Sequence, residues 1–231
     1  IERKQIFGVI QMTVIGIDLG TSNCVMSYWD GTEAKVLRNG LGKALTPSIV
    51  SVDADGHLLV GEVARERLIS HPEDTAALFK RDMGTNKRIK LGDDTYLPEE
   101  LSSFVLRKLK EDAEYVLKEE ITEAVISVPA YFNDQQRKST KRAAELAGFK
   151  VERLISEPTA AALAYGLHEY EEDSNFLVFN LGGGTFDVSI LEKFSGIIQV
   201  RAIAGDNYLG GEDFTNKIYQ FVLEDHDLKE S

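Results

Sequence analysis

The residues best suited to chemistry lie at 176–191, F-L-V-F-N-L-G-G-G-T-F-D-V-S-I-L. Strand-forming residues Phe176 to Phe179 run into Gly182, Gly183 and Gly184, and a second strand-like run, Val188 to Leu191, leaves on the far side; together they predict a hairpin with a glycine tip. Glycines lack Cβ and can take positive φ, so adjacent ones let backbone N–H groups turn toward one point and approach a ligand closely. A phosphate is the natural guest. Thr185 adds a hydroxyl beside the tip, and Asn180 and Asp187 flank it where a metal-phosphate needs oxygen ligands. For a lone G-G-G, a tight structural turn is the simpler reading.

The chain repeats the arrangement, and that shifts the balance. Val14 to Ile17 is another apolar strand, followed by Asp18-Leu19-Gly20-Thr21-Ser22-Asn23 and then a strand from Cys24 to Trp29. Asp or Asn, then Leu-Gly, then small residues occurs at Asp18 and again at Asn180, which suggests an internal duplication with one phosphate clasp in each half. The other phosphate motifs fail. Gly42-Lys43 is followed by Ala44, and Leu37 stands where a P-loop needs its first glycine; no G-x-G-x-x-G follows any strand.

These turns need elements to hold them. At 231 residues with 43% apolar content, the chain is long enough for one large domain or two small ones with a packed core. A net charge of -12 argues against a nucleic-acid or anionic-membrane surface, although it leaves local nucleotide binding open. The single cysteine, Cys24, excludes an internal disulfide, reads as core filler and fits a reducing compartment, so the cytoplasm is the expected location. His57, His71, His168 and His226 show no zinc-ligand spacing. No apolar run approaches the roughly 20 residues that span a bilayer, and residues 1–11 read as upstream or added sequence before a start at Met12.

Along the chain, Asp30-Gly31 predicts a short hairpin into a strand at Glu33 to Leu37. Further strands are expected at Ser48 to Val52 and His57 to Val60, then a helix from Glu62 to Ser70 with Val63, Leu68 and Ile69 on its apolar side. Lys80, beside an apolar patch, reads locally as a buried stem with an exposed head. A long helix starts at Pro98 and places Leu101, Val105, Leu109, Ala113 and Val116 on one face. Ala124 to Val128 is a strand stopped by Pro129; Asn133-Asp134 caps a helix ended by Gly148; Val151 to Ile155 is a strand; and Glu157-Pro158-Thr159 opens a small-residue helix. The polar run His168 to Asn175 is the expected boundary between halves, and after the central hairpin come a strand at Ile197 to Ile203 and a helix from Glu212 to about Leu223.

Four separated motifs carry a family resemblance: I-G-I-D-L-G-T-S-N at Ile15 to Asn23, V-P-A-Y-F-N-D-Q-Q-R at Val128 to Arg137, E-P-T-A-A-A-L-A-Y-G-L at Glu157 to Leu167 and L-G-G-G-T-F-D-V at Leu181 to Val188. With G-D-N-Y-L-G-G-E-D-F at Gly205 to Phe214, they resemble the ATPase domain of the seventy-kilodalton heat-shock chaperones of the DnaK type. The segments H-P-E-D-T-A-A-L-F-K-R-D-M-G and E-L-S-S-F-V-L-R-K-L-K-E-D-A-E look most like the HscC branch.

The resemblance implies an α/β fold of actin-like ATPase (ribonuclease H-like) lobes. The first is expected complete over 12–169, with an inserted subdomain at about 53–123, and the second partial over 170–231. It implies ATP/ADP and magnesium as cofactors, with hydrolysis driving binding and release of unfolded protein clients by a separate peptide-binding domain. A J-domain co-chaperone and a nucleotide exchange factor are the expected partners, with no nucleic acid and no membrane. Gly20, Thr21 and Ser22 would clasp phosphates from one side and Gly182, Gly183, Gly184 and Thr185 from the other. Asp18, Asp187 and Glu157 would hold magnesium and its waters. Lys80 would reach the γ-phosphate and the attacking water, which revises its local reading. Pro129 and Arg137 would relay nucleotide state.

Two departures bear on activity. The family has Asp where this chain has Asn180, and Asn where it has Ser156; an amide cannot serve as an anionic ligand or accept a proton, so slow hydrolysis is expected. The family's module also continues beyond the last residue here, so a phosphate site without a finished base pocket is expected. The alternatives are a hydrolysis-deficient remnant with weak or no nucleotide binding and, less well matched, a sugar kinase or a filament-forming actin relative.

Overall fold

The computed structural model describes residues 13–167 and 173–226. The upstream segment and part of the expected boundary, 168–172, lie outside the described residues. The chain opens with the hairpin β1 (Val14–Leu19) and β2 (Asn23–Trp29), to which β3 (Ala34–Leu37) and β4 (Leu45–Pro47) add. Then come β5 (Val50–Val52), β6 (Leu58–Val60), two short helices α1 (Glu62–Arg65) and α2 (Arg67–Ser70), and β7 (Thr75–Ala76). A 3-10 turn at Phe79–Asp82 and the small hairpin β8 (Ile89–Leu91) and β9 (Asp94–Tyr96) lead to α3 (Pro98–Leu117). The stretch ends β10 (Glu123–Val128), α4 (Asp134–Leu146), β11 (Lys150–Ser156) and α5 (Glu157–Ala164).

The N-terminal sheet runs β11-β10-β1-β2-β3, with β10 parallel to both β1 and β11 and β2 antiparallel to β1. Parallel neighbours need covered crossovers. Helix α3 precedes β10 and buries Leu101, Val105, Leu106, Leu109 and Ala113 completely, in one cluster with Ile15, Met26 and Ile126 of the sheet and with Val50, Ala76 and Leu91. Helix α4 connects β10 to β11. Its start is fixed by a reciprocal pair: the Gln136 backbone N–H donates to Asn133 Oδ1 at 2.9 Å, and Asn133 N–H donates to Gln136 Oε1 at 3.0 Å.

Residues 174–226 form β12 (Ser174–Leu181), β13 (Phe186–Phe194), β14 (Ile197–Asp206) and α6 (Gly211–Asp225), the strands making an antiparallel meander. Alternation sorts its faces. Asp187, Ser189 and Leu191 on β13 are buried on one side, whereas Leu177, Phe179 and Ile190 are exposed on the other.

Two periodicity readings need correction. The helix expected over Glu62 to Ser70 is broken at Glu66, and its buried residue is Ala64; Ile69 is 95% exposed and Val63 is exposed too, because two single turns present no continuous face to β5 and β6. Val116 is also exposed, on the last turn of α3. No helix among the described residues is long and apolar enough to cross a membrane.

Candidate functional site

The two glycine turns are the tips of matching hairpins. In the first, Leu19 pairs with Cys24 and encloses Gly20 to Asn23; in the second, Leu181 pairs with Phe186 and encloses Gly182 to Thr185. The tips touch. A Cβ on Gly183 would overlap the Ser22 side chain, and one on Gly184 would overlap Thr21 and come within 2.9 Å of Arg81 Nε. None of Gly20, Gly182, Gly183 and Gly184 has positive φ, so the expectation of left-handed backbone is corrected. Gly183 and Gly184 are required because the tips approach closely, not because the turn is left-handed.

Thr185 O closes the second turn on Gly182 N–H, and the other three carbonyls are engaged from outside it. Gly211 N–H donates to Gly182 O at 3.0 Å, Glu212 N–H to Gly183 O at 2.9 Å, and Arg81 Nε to Gly184 O at 3.0 Å. In a trans peptide the C=O and the following N–H point in opposite directions. The N–H groups of Gly183 and Gly184 therefore face away from α6 and that of Thr185 away from the Arg81 guanidinium, and none has a protein acceptor among the described residues. Outward-facing successive N–H groups of this kind form an anion-binding concavity.

Below the turns, four of the candidate side chains converge. Lys80 sits in the 3-10 turn and is only 4% exposed. Its Nζ donates to Glu157 Oε1 at 3.3 Å and lies 5.6 Å from the centre of the Phe132 ring. The exposed head expected from local sequence is thus replaced by a buried one, as a paired charge permits. Glu157 opens α5, where the helix dipole favours a carboxylate. Its other oxygen accepts from Asn180 Nδ2 at 2.7 Å. Asn180 and Asp187 are directly paired across β12 and β13 on the buried face.

Asp187 is 2% exposed, and its Oδ2 has no hydrogen-bond partner. Burial raises its pKa to about 6, the negative charge of Glu157 adds to the rise, and Lys80 and the Tyr131 backbone N–H oppose it. A buried, unpartnered carboxylate oxygen close to a second carboxylate is the donor set of a hard divalent cation. Asp18 lies on the other hairpin, exposed, with Oδ1 accepting from Ser127 Oγ at 2.7 Å. It has no direct contact with the other four, although the charges of Asp18 and Lys80 both act on the buried Cys24 thiol. Asp187 and Glu157 are carboxylates of the kind a hard divalent cation takes, but Asp18, Glu157 and Asp187 do not form a group within 4.8 Å of one another.

Pro129 and Arg137 are brought together by a residue that sequence reading passed over. Phe132 N–H donates to Pro129 O at 3.2 Å, and Arg137 Nε donates to Phe132 O at 3.1 Å. The ring of Phe132 then meets Lys80, and its position inside V-P-A-Y-F-N was the available signal. Arg81 and Asp213 were also passed over, although each stands next to or inside a quoted motif. His57 lies with Asp53 and Asp55 within 4.8 Å on an exposed hairpin turn, where the Asp53 carboxylate accepts the Asp55 and His57 backbone N–H groups and closes the turn.

The family model described as Hsp70 protein matches residues 14–90 and 86–231. The chain belongs to the Hsp70 family. The mixed α/β sheets and helices fit an Hsp70 actin-like ATPase fold. Hsp70 proteins are chaperones whose nucleotide-binding domains use ATP or ADP with magnesium, and they work with client proteins and co-chaperones.

Proposed function

We propose that this chain forms the nucleotide-binding part of a DnaK-type chaperone of the HscC branch. It binds magnesium-ATP between two lobes, the first ending near residue 169, and hydrolyses it slowly. The observation that carries this reading is the convergence of Lys80, Glu157, Asn180 and Asp187 beneath two touching glycine turns. The N–H groups of Gly183, Gly184 and Thr185 hold phosphate oxygens, and Gly20, Thr21 and Ser22 close the cradle from the facing turn. Asp18, Asp187 and Glu157 hold magnesium, which when bound neutralises phosphate charge. Lys80 orients the attacking water and balances charge gathering on the γ-phosphate. Phosphoryl transfer asks the protein for positioning and electrostatics more than for covalent chemistry.

Asn180 makes the site slow. Its amide holds one oxygen of Glu157 while Lys80 holds the other, so Glu157 is fixed in place. An amide at this position cannot take a proton from water, and losing one preorganised contact costs on the order of 3 kcal/mol in the barrier. The same contact favours the second reading, a binder that does not turn over. Hydrolysis drives a peptide-binding domain for unfolded clients in the cytoplasm, with a J-domain co-chaperone and an exchange factor, and Pro129 and Arg137 carry the signal through Phe132.

Calorimetric titration with magnesium-ATP, repeated on Asp18→Ala, tests binding: saturable heat in the parent that vanishes in the variant is expected, and no heat in the parent refutes the proposal. Single-turnover hydrolysis tests the role of Asn180. Asn180→Asp is expected to accelerate the step by about 100-fold, an order set by the 3 kcal/mol scale. An unaccelerated variant means that Asn180 does not limit the rate.

A further inference from the structure

The geometry points to Arg81 as a positioning residue that orients the phosphate cradle across the interface between the two halves of the molecule. This rests on the phosphate site proposed above. Helix α6 can satisfy only part of the glycine turn: its first two N–H groups reach Gly182 O and Gly183 O, and the next carbonyl, Gly184 O, lies beyond them. Arg81 supplies that bond from the opposite half of the molecule. Because peptide planes are rigid, fixing Gly184 O fixes the direction of the Thr185 N–H, the last donor of the cradle.

Arg81 is itself held. Its Nη1 donates to Asp213 Oδ1 at 3.1 Å, and its Nη2 pairs with Asp213 Oδ2. Asp213 also accepts the Gly210 N–H at 2.8 Å, which fixes the carboxylate at the start of α6. The guanidinium therefore uses a fork and a third donor in different directions, a geometry that a lysine ammonium cannot reproduce. Only 13% of the Arg81 side chain is exposed, so water does not replace these bonds freely.

Arg81 also follows Lys80 on the same 3-10 turn. The turn begins at Leu78, a non-glycine residue at φ 58°, ψ 8°, a left-handed conformation that survives where the surroundings demand it. From this turn Lys80 points to Glu157 and Arg81 to the glycine turn. Closure of the halves and assembly of the cradle for a nucleotide's phosphate tail are thus one event: a separated interface leaves Gly184 O without its donor and Thr185 N–H without a fixed direction.

The test uses Arg81→Lys, Arg81→Met and Asp213→Asn in the full chain. Hydrogen exchange in the nucleotide-free protein reads the amides of Gly211 and Glu212, which the turn holds. Both Arg81 variants are expected to raise exchange at 209–214 at least fivefold, with Asp213→Asn intermediate and the α3 core at 101–113 unchanged. Faster exchange in the α3 core as well marks global unfolding by that substitution, and Asp213→Asn then decides. Protection equal to the parent in Arg81→Lys means that charge alone suffices and overturns the proposal, as does no change in any variant. Calorimetry with magnesium-ADP is expected to show at least tenfold weaker binding for both Arg81 variants. Equal affinity in parent and variants overturns the link to the cradle; a parent that does not bind refutes the phosphate site itself, while the exchange result still judges the positioning of the turn.

Discussion

The two hairpins share a sequence pattern and a register but are supported differently. In the first, Ser48 is the main tie of the tip: its Oγ donates to Gly20 O at 2.7 Å and its N–H to Ser22 O at 2.9 Å, and beyond it Ser22 Oγ makes a longer bond of 3.4 Å to Glu212 Oε1. Ser48 follows β4, which pairs with the same hairpin, so this support is local. The second tip is held by the N-terminus of α6 and by Arg81, 103 positions earlier in the chain. The carboxylates differ in the same sense. Asp18 is exposed and hydrogen-bonded by Ser127, whereas Asp187 is buried beside Glu157 with an orphan oxygen. In the shared register the partner of Asp18 is Val25, while the partner of Asn180 is Asp187. One hairpin is tied chiefly by its own neighbourhood; the other carries the electrostatic cost of a buried carboxylate.

Replacing both carboxylates gives the sharpest contrast. Asp18→Asn and Asp187→Asn are each expected to weaken magnesium-ATP binding at least 100-fold, yet their effects on the ligand-free fold differ. The pKa of Asp187 is raised to about 6, so the folded state holds this proton more tightly than the unfolded chain. Stability from this group is therefore greatest below the unfolded value near 4 and falls as pH rises toward 6. At pH 7.5 Asp187→Asn is expected to stabilise the ligand-free protein by about 2 kcal/mol, a gain that shrinks at pH 4.5. Asp18→Asn is expected to stay within about 0.5 kcal/mol, since an amide oxygen can accept from Ser127. Denaturant melts at both pH values check this, and a destabilised Asp187→Asn breaks the comparison.

A smaller effect separates the glycines. Gly184→Ala forces its methyl into Thr21 and is expected to cost about 1–3 kcal/mol in thermal unfolding, the range for overpacking. Gly182→Ala makes ordinary contacts with Thr185, its O at 3.6 Å and its Oγ1 at 3.9 Å, and is expected to cost less than about 0.5 kcal/mol. Equal losses would show that backbone freedom matters there after all. The local support is separable from the far one: Ser48→Ala removes the donor to Gly20 O and is expected to cost about 1 kcal/mol by the same melts, without changing the exchange of Gly211 and Glu212.

The hairpins, the long α3 face and the capped start of α4 were legible in the sequence, because alternation, helical spacing and Asn-x-x-Gln capping are local rules that these residues obey. The motifs around Asp18, Glu157 and Gly182 carried the family resemblance because each is a short contiguous stretch. What sequence could not supply was whatever depends on approach between distant segments. Lys80 looked exposed because its carboxylate partner stands 77 positions away. The glycines looked like devices for positive φ, and only packing reveals that Gly183 and Gly184 make room for Ser22 and Thr21. Residue types and spacing determined which groups are present and which elements carry them, since those are set within a few turns of chain. Tertiary structure alone decided that Arg81 bonds Gly184, that Asn180 holds Glu157 and that one oxygen of Asp187 is left buried without a partner, because each follows from burial and from contacts between segments that the sequence keeps far apart.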